Sequence, residues 1–277
     1  MMYYIAVITG GTSGIGLAVA QALVRRLTWR VYILGTNQER GSKAVEGLPG
    51  AYFLRSDVRD YHNLADAFHE IYKENGRLDL VFANAGILES CDFHAQHPEN
   101  RVPPKPDLEV LDVNLVGVVY TSYLALHYFR QSSRNNSEAN LVLTGSCLSF
   151  YPSTIPLYTA AKHALIGFMR SIGKRCHDEG IRVNALCPGI VQTNLGNADS
   201  FRDIPPDIFV PIGEVVRVLL LMVDGPDVTD SKGVQVSGSE FWSRAVEVTR
   251  KGYYFREPPE WSDEHMARTM TQSFLQL

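Results

Sequence analysis

The chain lacks most of what would mark a secreted, metal-bound or nucleic-acid-binding protein. Its four cysteines, Cys91, Cys147, Cys176 and Cys187, form no Cys-x-x-Cys pair. That argues against a metal site and for reduced intracellular thiols. Positive charge is not in excess: the formal net charge is -4, and Lys and Arg are scattered along the chain. Nucleic acid and anionic membrane surfaces are therefore not expected partners. No run of about 18 apolar residues appears, so no membrane span is expected. A first strand beginning at Tyr3 leaves no room for a signal peptide, and the expected location is cytoplasmic. In that setting Asn135-Asn136-Ser137 matches a glycosylation acceptor only by chance. Repeats, low-complexity runs and a second domain are also lacking. What remains is 277 residues, 45% hydrophobic and 20% charged, which suits one sizeable domain.

Short apolar, β-branched segments alternate with helix-length segments. Strands are predicted at Tyr3–Thr9, Arg30–Leu34, Ala51–Leu54, Leu78–Ala83, Asn140–Thr144, Ile181–Leu186 and near Gly233–Ser237. Helices are predicted after Gly14, over Asp60–Asn75, Asp107–Arg130, Pro156–Gly173 and Gly213–Val223. This alternation predicts the α/β class, a doubly wound parallel sheet of about seven strands with helices on both faces, within residues 1–238. Residues 89–107 carry Pro98, Pro103, Pro104 and Pro106 with His94 and His97, and read as a surface loop rather than a metal site. Residues 194–212, with Pro205, Pro206 and Pro211, read as a lid beside a ligand site. Residues 239–277 hold Trp242, Tyr253, Tyr254, Phe255 and Trp261. They read as a tail packing on the domain or on a neighbouring subunit.

The first strand runs into Thr9-Gly10-Gly11-Thr12-Ser13-Gly14-Ile15-Gly16 and then a helix. A glycine turn between strand and helix lets backbone approach a pyrophosphate, whose charge the helix N-terminus favours. A tight turn without a ligand has the same appearance. The second strand ends at Gly35, where an acidic residue would grip a ribose 2′-hydroxyl and select NAD. Thr36, Asn37 and Arg40 could instead receive a 2′-phosphate, so the cofactor expected is NADP, with NAD as the alternative. Asn37 also reads as the cap of a helix ahead of Glu39. Thr9, Asp57, Asn84 and Ser146 all fall at carboxyl ends of strands, where ligands sit on such sheets.

Ser146 is followed twelve residues later by Tyr158 and, four further, by Lys162. On a helix from Pro156 to Gly173, Tyr158 and Lys162 share a face. A neighbouring ammonium is expected to lower the phenol's pKa and tune it as a general acid/base. An ordinary amphipathic helix with a half-buried Tyr and a snorkelling Lys gives the same spacing. Asn114 sits mid-helix, where Asn is unfavourable by propensity and needs solvent or a purpose.

Seven pieces stand in one order: Thr9-Gly10-x-x-x-Gly14-Ile15-Gly16, Asp57, Asn84-Ala85-Gly86, Asn114, Ser146, Tyr158-x-x-x-Lys162, and Pro188-Gly189 with Thr193. Together they resemble the short-chain dehydrogenase/reductase family, in its branch with a single Rossmann-type domain. Pro156-Leu157-Tyr158, Lys162-His163 and Gly167-Phe168 are similar to hydroxyprostaglandin dehydrogenases within it, whereas Gly35 stands where that subgroup has Asp and uses NAD. The resemblance implies a catalytic set of Asn114, Ser146, Tyr158 and Lys162. Tyr158 would exchange the proton, Ser146 would bind the substrate oxygen, Lys162 would hold the nicotinamide ribose, and Asn114 would anchor a water chain. Gly10, Thr12, Ser13, Gly14, Ile15 and Gly16 would meet the pyrophosphate side of the cofactor, and Thr36 and Asn37 its 2′-phosphate. Asp57 and Val58 would meet the adenine, and Asn84, Ala85 and Gly86 the neighbouring ribose. Pro188, Gly189, Val191 and Thr193 would hold the carboxamide.

The expected activity is NAD(P)-dependent hydride transfer to or from a secondary alcohol or ketone. The substrate would be a bulky hydrophobic one lying among Ser146, Leu148, Tyr151, Ile155 and Tyr158. An imine reductase or tailoring enzyme using the same site is an alternative, as is a non-catalytic NADP-binding regulatory protein. A homodimer or homotetramer is expected from the pairing of the Asp107–Arg130 and Pro156–Gly173 helices.

Overall fold

The computed structural model describes residues 3–132, 139–196, 201–202 and 204–274. Asn135-Asn136-Ser137 and part of the expected lid at 194–212 lie outside the described residues. The strands are β1 (Tyr4–Thr9), β2 (Trp29–Gly35), β3 (Ala51–Arg55), β4 (Leu80–Ala83), β5 (Ala139–Thr144), β6 (Ile181–Pro188), β7 (Val228–Thr229), β8 (Gln235–Val236), β9 (Ala245–Thr249) and β10 (Gly252–Arg256). The helices are α1 (Gly14–Val24), α2 (Gln38–Val45), α3 (Tyr61–Asn75), α4 (Glu109–Leu111), α5 (Gly117–Gln131), α6 (Pro156–Asp178), α7 (Ile212–Asp224) and α8 (Glu264–Thr269). A π turn at Asp112–Val116 joins α4 to α5.

Eight strands make the main sheet, in the order β10-β9-β6-β5-β4-β1-β2-β3. Every neighbouring pair from β3 to β9 is parallel, and β10 runs antiparallel to β9. The near-continuous apolar run of β1 follows from burial on both faces. Ile5 and Val7 join the core on one face of the sheet, and Ala6 and Ile8 the core on the other. The first core takes Leu64 and Phe68 from α3, Leu124 and Phe129 from α5 and Leu165 from α6. The second takes Val19 and Leu23 from α1 and Val218, Leu219 and Met222 from α7. Each such side chain, fully buried, contributes on the order of 2 kcal/mol through removal of apolar surface from water.

Two expectations need correction. The strand expected near Gly233–Ser237 does not complete the sheet: β8 pairs with β7 in a separate two-stranded piece. The sheet's last two strands instead come from residues 239–277, so a boundary at 238 cuts through the sheet. The physical reason is legible afterwards. Ala-Val-Glu-Val-Thr, a turn at Arg250-Lys251, and Gly-Tyr-Tyr-Phe-Arg form a hairpin of two β-prone runs. Tyr253 and Phe255, read as tail aromatics, are core residues of that hairpin.

The helix from Glu109 to Gln131 is long and apolar enough to cross a membrane by length and composition. Here its apolar side faces the interior, with Leu124, Ala125, Tyr128 and Phe129 buried against the first core. The crossovers bring the carboxyl ends of β1, β2, β4, β5 and β6 to one edge of the sheet, and that edge positions the site.

Candidate active site

A cleft of about 540 Å³ opens along this edge, walled by the turn after β1, the end of β2, the segment after β4, and Tyr158 and Lys162 of α6. Gly10, Thr12, Ser13, Gly14 and Ile15 form its floor, and Thr36, Asp57, Val58, Asn84, Ala85, Gly86 and Thr193 complete the expected set that lines it.

The glycine turn is shaped by steric need. Gly10 has φ +64, a left-handed conformation that costs other residues strain. Gly16 lies behind the cleft wall. A Cβ there would sit 2.6 Å from the Gly10 carbonyl and 2.7 Å from Asn84 Nδ2, so only glycine lets α1 approach β1 this closely. Asn84 ties three strand ends together. Its Nδ2 donates to the Thr9 and Gly10 carbonyls at 3.2 and 3.3 Å, and its Oδ1 accepts from Thr144 Oγ1 at 3.3 Å. The side chain expected at a ribose is thus spent on the scaffold of the cleft.

At the end of β2, Gly35 leaves room for Thr12, whose Cγ2 would be 2.8 Å from a Cβ at that position. The Asn37 Oδ1 accepts from Arg40 N at 2.8 Å as the cap of α2, and Asn37 does not line the cleft. The cap uses the oxygen and not Nδ2, the atom that could donate to a phosphate. Arg40 does line the cleft, with no carboxylate partner among the described residues. Arg59, which the sequence reading missed, is committed instead to Asp57 at 2.6 Å and to Glu109. Its guanidinium holds the Asp57 carboxyl below the usual range.

The residues around Tyr158 are drawn from three elements. Tyr158, Lys162 and Ser146 are all buried, and Asn114 is fully enclosed. Ser146 opens a short helical turn at Cys147–Ser149, and its Oγ accepts from Leu148 N at 3.1 Å. Its hydroxyl donates to Cys147 Sγ at 3.8 Å. Lys162 Nζ donates to the Thr144 carbonyl at 2.7 Å and lies 5.4 Å from the centroid of the Tyr158 ring.

The expected lowering of the Tyr158 pKa is reversed. Burial pushes the phenol up to about 12, and the influence of the Ser146 hydroxyl offsets only part of that rise. The ammonium lies over the ring and is itself brought down to about 8 by burial. Desolvation therefore outweighs the attraction between the two groups. Both ends of the Asn114 side chain are held by the Ile87 backbone, Oδ1 accepting from N and Nδ2 donating to O, each at 2.8 Å. The mid-helix Asn thus fastens the π turn to the segment after β4.

Pro188 ends β6, and Gly189 and Val191 follow it; none of the three lines the cleft, whereas Thr193 does, pressed against Gly14. Leu148, Tyr151 and Ile155 lie outside it as well. Tyr151 has partners that the sequence reading missed. Its hydroxyl donates to Glu247 Oε2 at 3.3 Å and accepts from Arg256 Nη1 at 3.1 Å, while Arg256 pairs with Glu247 at 3.2 Å. Glu247 is buried on β9 and Arg256 ends β10. The polar residue inside Ala-Val-Glu-Val-Thr was the only local signal.

The cleft suits a dinucleotide on its own geometry. The turn after β1 presents Gly10, Gly14 and the short side chains of Thr12 and Ser13 to the cleft at the N-terminus of α1, where pyrophosphate charge is favoured. Ser56 lines the cleft, and its hydroxyl is buried with no hydrogen-bond partner among the described residues.

Comparison with known proteins agrees. The short chain dehydrogenase family model matches residues 4–202. The chain is 43% identical over 266 residues to the short-chain dehydrogenase/reductase prx7 of Penicillium rubens, covering 92% of this chain and 94% of that protein. It is 31% identical over 201 residues to human 15-hydroxyprostaglandin dehydrogenase [NAD(+)], covering 69% of each. In fold it is similar to a 3-ketoacyl-(acyl-carrier-protein) reductase from Brucella melitensis solved with NADH. That match has a TM-score of 0.72 at 19% identity, covering 90% of this chain and 98% of that one. A glycine turn, the Tyr158–Lys162 pair on one helix and a family match over most of the chain converge: this protein belongs to the short-chain dehydrogenase/reductase family of NAD(P)-binding oxidoreductases.

Proposed function

We propose that the protein interconverts a secondary alcohol and a ketone on a bulky hydrophobic substrate, with NADP as its preferred cofactor and Tyr158 as the general acid/base. The observation that carries this reading is the buried Tyr158–Lys162 pair, with the Lys162 Nζ 5.4 Å from the Tyr158 ring centroid, at one end of the glycine-floored cleft.

A bound nicotinamide supplies or takes up the hydride. The turn from Gly10 to Ile15 would hold its pyrophosphate, Val58 and Asp57 would meet the adenine, and Thr193 would meet the nicotinamide side. The protein's own residues move the proton. Tyr158, held near 12 by burial, is a proton donor across the neutral range. In reduction it gives its proton to the carbonyl oxygen and becomes a phenolate; in oxidation that phenolate, formed by prior loss of the proton to solvent, takes the proton of the alcohol. Ser146 hydrogen-bonds the same oxygen and steadies charge that develops on it. Lys162, protonated below about 8, holds positive charge under the ring and eases loss of the phenolic proton. Asn114, with its side chain committed to Ile87, can join a proton relay only through its main-chain carbonyl.

NADP is favoured by Gly35, which offers no carboxylate to a 2′-hydroxyl, and by Thr36 and the unpaired Arg40 on the same wall. Leu148, Tyr151 and Ile155 offer an apolar and aromatic wall to the substrate, and the segment 194–212 serves as its lid. A homodimer or homotetramer joined through α5 and α6 belongs to the same reading; Tyr123 on α5 is 65% exposed.

Nicotinamide absorbance, followed with NADPH and NADH against a panel of ketones and alcohols, tests the reading. Tyr158→Phe should lower turnover by about a thousandfold or more while cofactor affinity stays within about twofold. Full turnover in that variant would remove Tyr158 from its role, and a clear NADH preference would remove NADP.

A further inference from the structure

One contact on the catalytic helix is supplied from far away in the chain. The Glu89 carboxylate accepts a hydrogen bond from the backbone N–H of Tyr158 at 2.6 Å, across 69 residues. Tyr158 is the third residue of α6, and Ile155, next before the helix, gives no side-chain cap. First-turn N–H groups have no acceptor within their own helix. A carboxylate there satisfies one of them and is favoured by the helix dipole. A charged acceptor also makes the stronger, shorter kind of hydrogen bond.

The segment that carries Glu89 is pinned along its length. The N–H groups of Asn84 and Ala85 donate to Thr9 Oγ1 at 3.0 and 3.1 Å. Ile87 is clasped at both N and O by Asn114. Ile87 and Leu88 then line the cleft, and Glu89 reaches α6. Six residues thus connect the glycine turn, the π turn and the helix bearing Tyr158.

The geometry points to Glu89 as a positioning residue that fixes Tyr158 relative to the cofactor cleft. It touches no substrate and acts through the Tyr158 backbone. The inference rests on the proposed acid/base role of Tyr158. A phenol that must meet a substrate oxygen tolerates little displacement, since about 1 Å of misplacement can cost about a hundredfold in rate.

The test compares Glu89→Ala and Glu89→Gln in the full chain by two readouts: amide hydrogen exchange at Tyr158, and steady-state kinetics with NADPH. In Glu89→Ala the Tyr158 amide should exchange about tenfold faster, and kcat should fall about tenfold with the NADPH KM within about twofold. Glu89→Gln keeps an acceptor oxygen and should restore most of both. Unchanged exchange and kcat in Glu89→Ala would overturn the inference, as would a Gln variant no better than the Ala variant. No turnover in the unaltered chain would instead overturn the acid/base role of Tyr158; the exchange measurement would still decide whether Glu89 holds the helix.

Discussion

The two ends of the sheet hold their parts of the site by different means. At the β1–β2–β4 end, shape is set by backbone: Gly10 in a left-handed conformation, Gly16 where a Cβ would strike a carbonyl, Asn84 bonding two carbonyls. At the β6–β9–β10 end, shape is set by side chains. Tyr151, Glu247 and Arg256 form one buried-to-surface network with partners 96 and 105 residues apart in the chain. A backbone cradle admits little variation, because any added atom collides. A side-chain network can be rebuilt with other residues, which suits the end where the proposed substrate wall lies.

This contrast can be broken by substitution at each end. The largest effect is expected for Gly16→Ala, which forces α1 away from the turn after β1. NADPH binding, measured by fluorescence titration, should weaken at least about tenfold, with a clear loss of melting temperature. A variant that binds NADPH normally would show that the turn has slack and that the contrast is overdrawn.

A smaller effect is expected for Arg256→Met. Glu247 then stays buried without its cation, so the melting temperature should fall by a few degrees. With Tyr151 unmoored, substrate KM should rise about threefold to tenfold while NADPH affinity stays within about twofold. An equal loss of NADPH affinity would mean the two ends are not independent.

The smallest effect is a pH trend at Lys162, which lies between the ends. Burial lowers its pKa from 10.5 to about 8, so the fold disfavours its charge. From about pH 8 to 10 the folded chain has released this proton and the unfolded chain still holds it, so this group adds stability as pH rises. Below about 8 both states are protonated and the trend is flat. The melting temperature of the parent relative to Lys162→Met should therefore climb between pH 8 and 10 and stay level from 6 to 7.5. A difference that falls over the alkaline window would contradict the direction of the shift.

Much of the β1–β4 end was legible in the sequence, because it depends on local chemistry. Glycines beside a β-branched strand specify a turn, and Asp60 as the cap of α3 or Asn37 as the cap of α2 can be read within four residues. The sequence left two roles open where local signals competed. Asn37 suited both a phosphate and a helix cap, and the coordinates show that Arg40 N takes its oxygen. The hairpin of β9 and β10 was taken for a tail. Each of its strands is only five residues long, and their apolar residues declare a core only when β6 lies alongside.

From the sequence alone came the class of the fold, the order of the motifs and the presence of Ser146, Tyr158 and Lys162 at the right strand end and helix face. Periodicity and steric need act over a few residues, so they are written into short stretches. Tertiary structure decided the rest: that Asn114 clasps Ile87, that Glu89 caps the helix of Tyr158, and that β9 and β10 finish the sheet. It also decided that Tyr158 is raised rather than lowered. Those outcomes depend on which groups lose water together, and burial is a property of the packed molecule, not of neighbours along the chain.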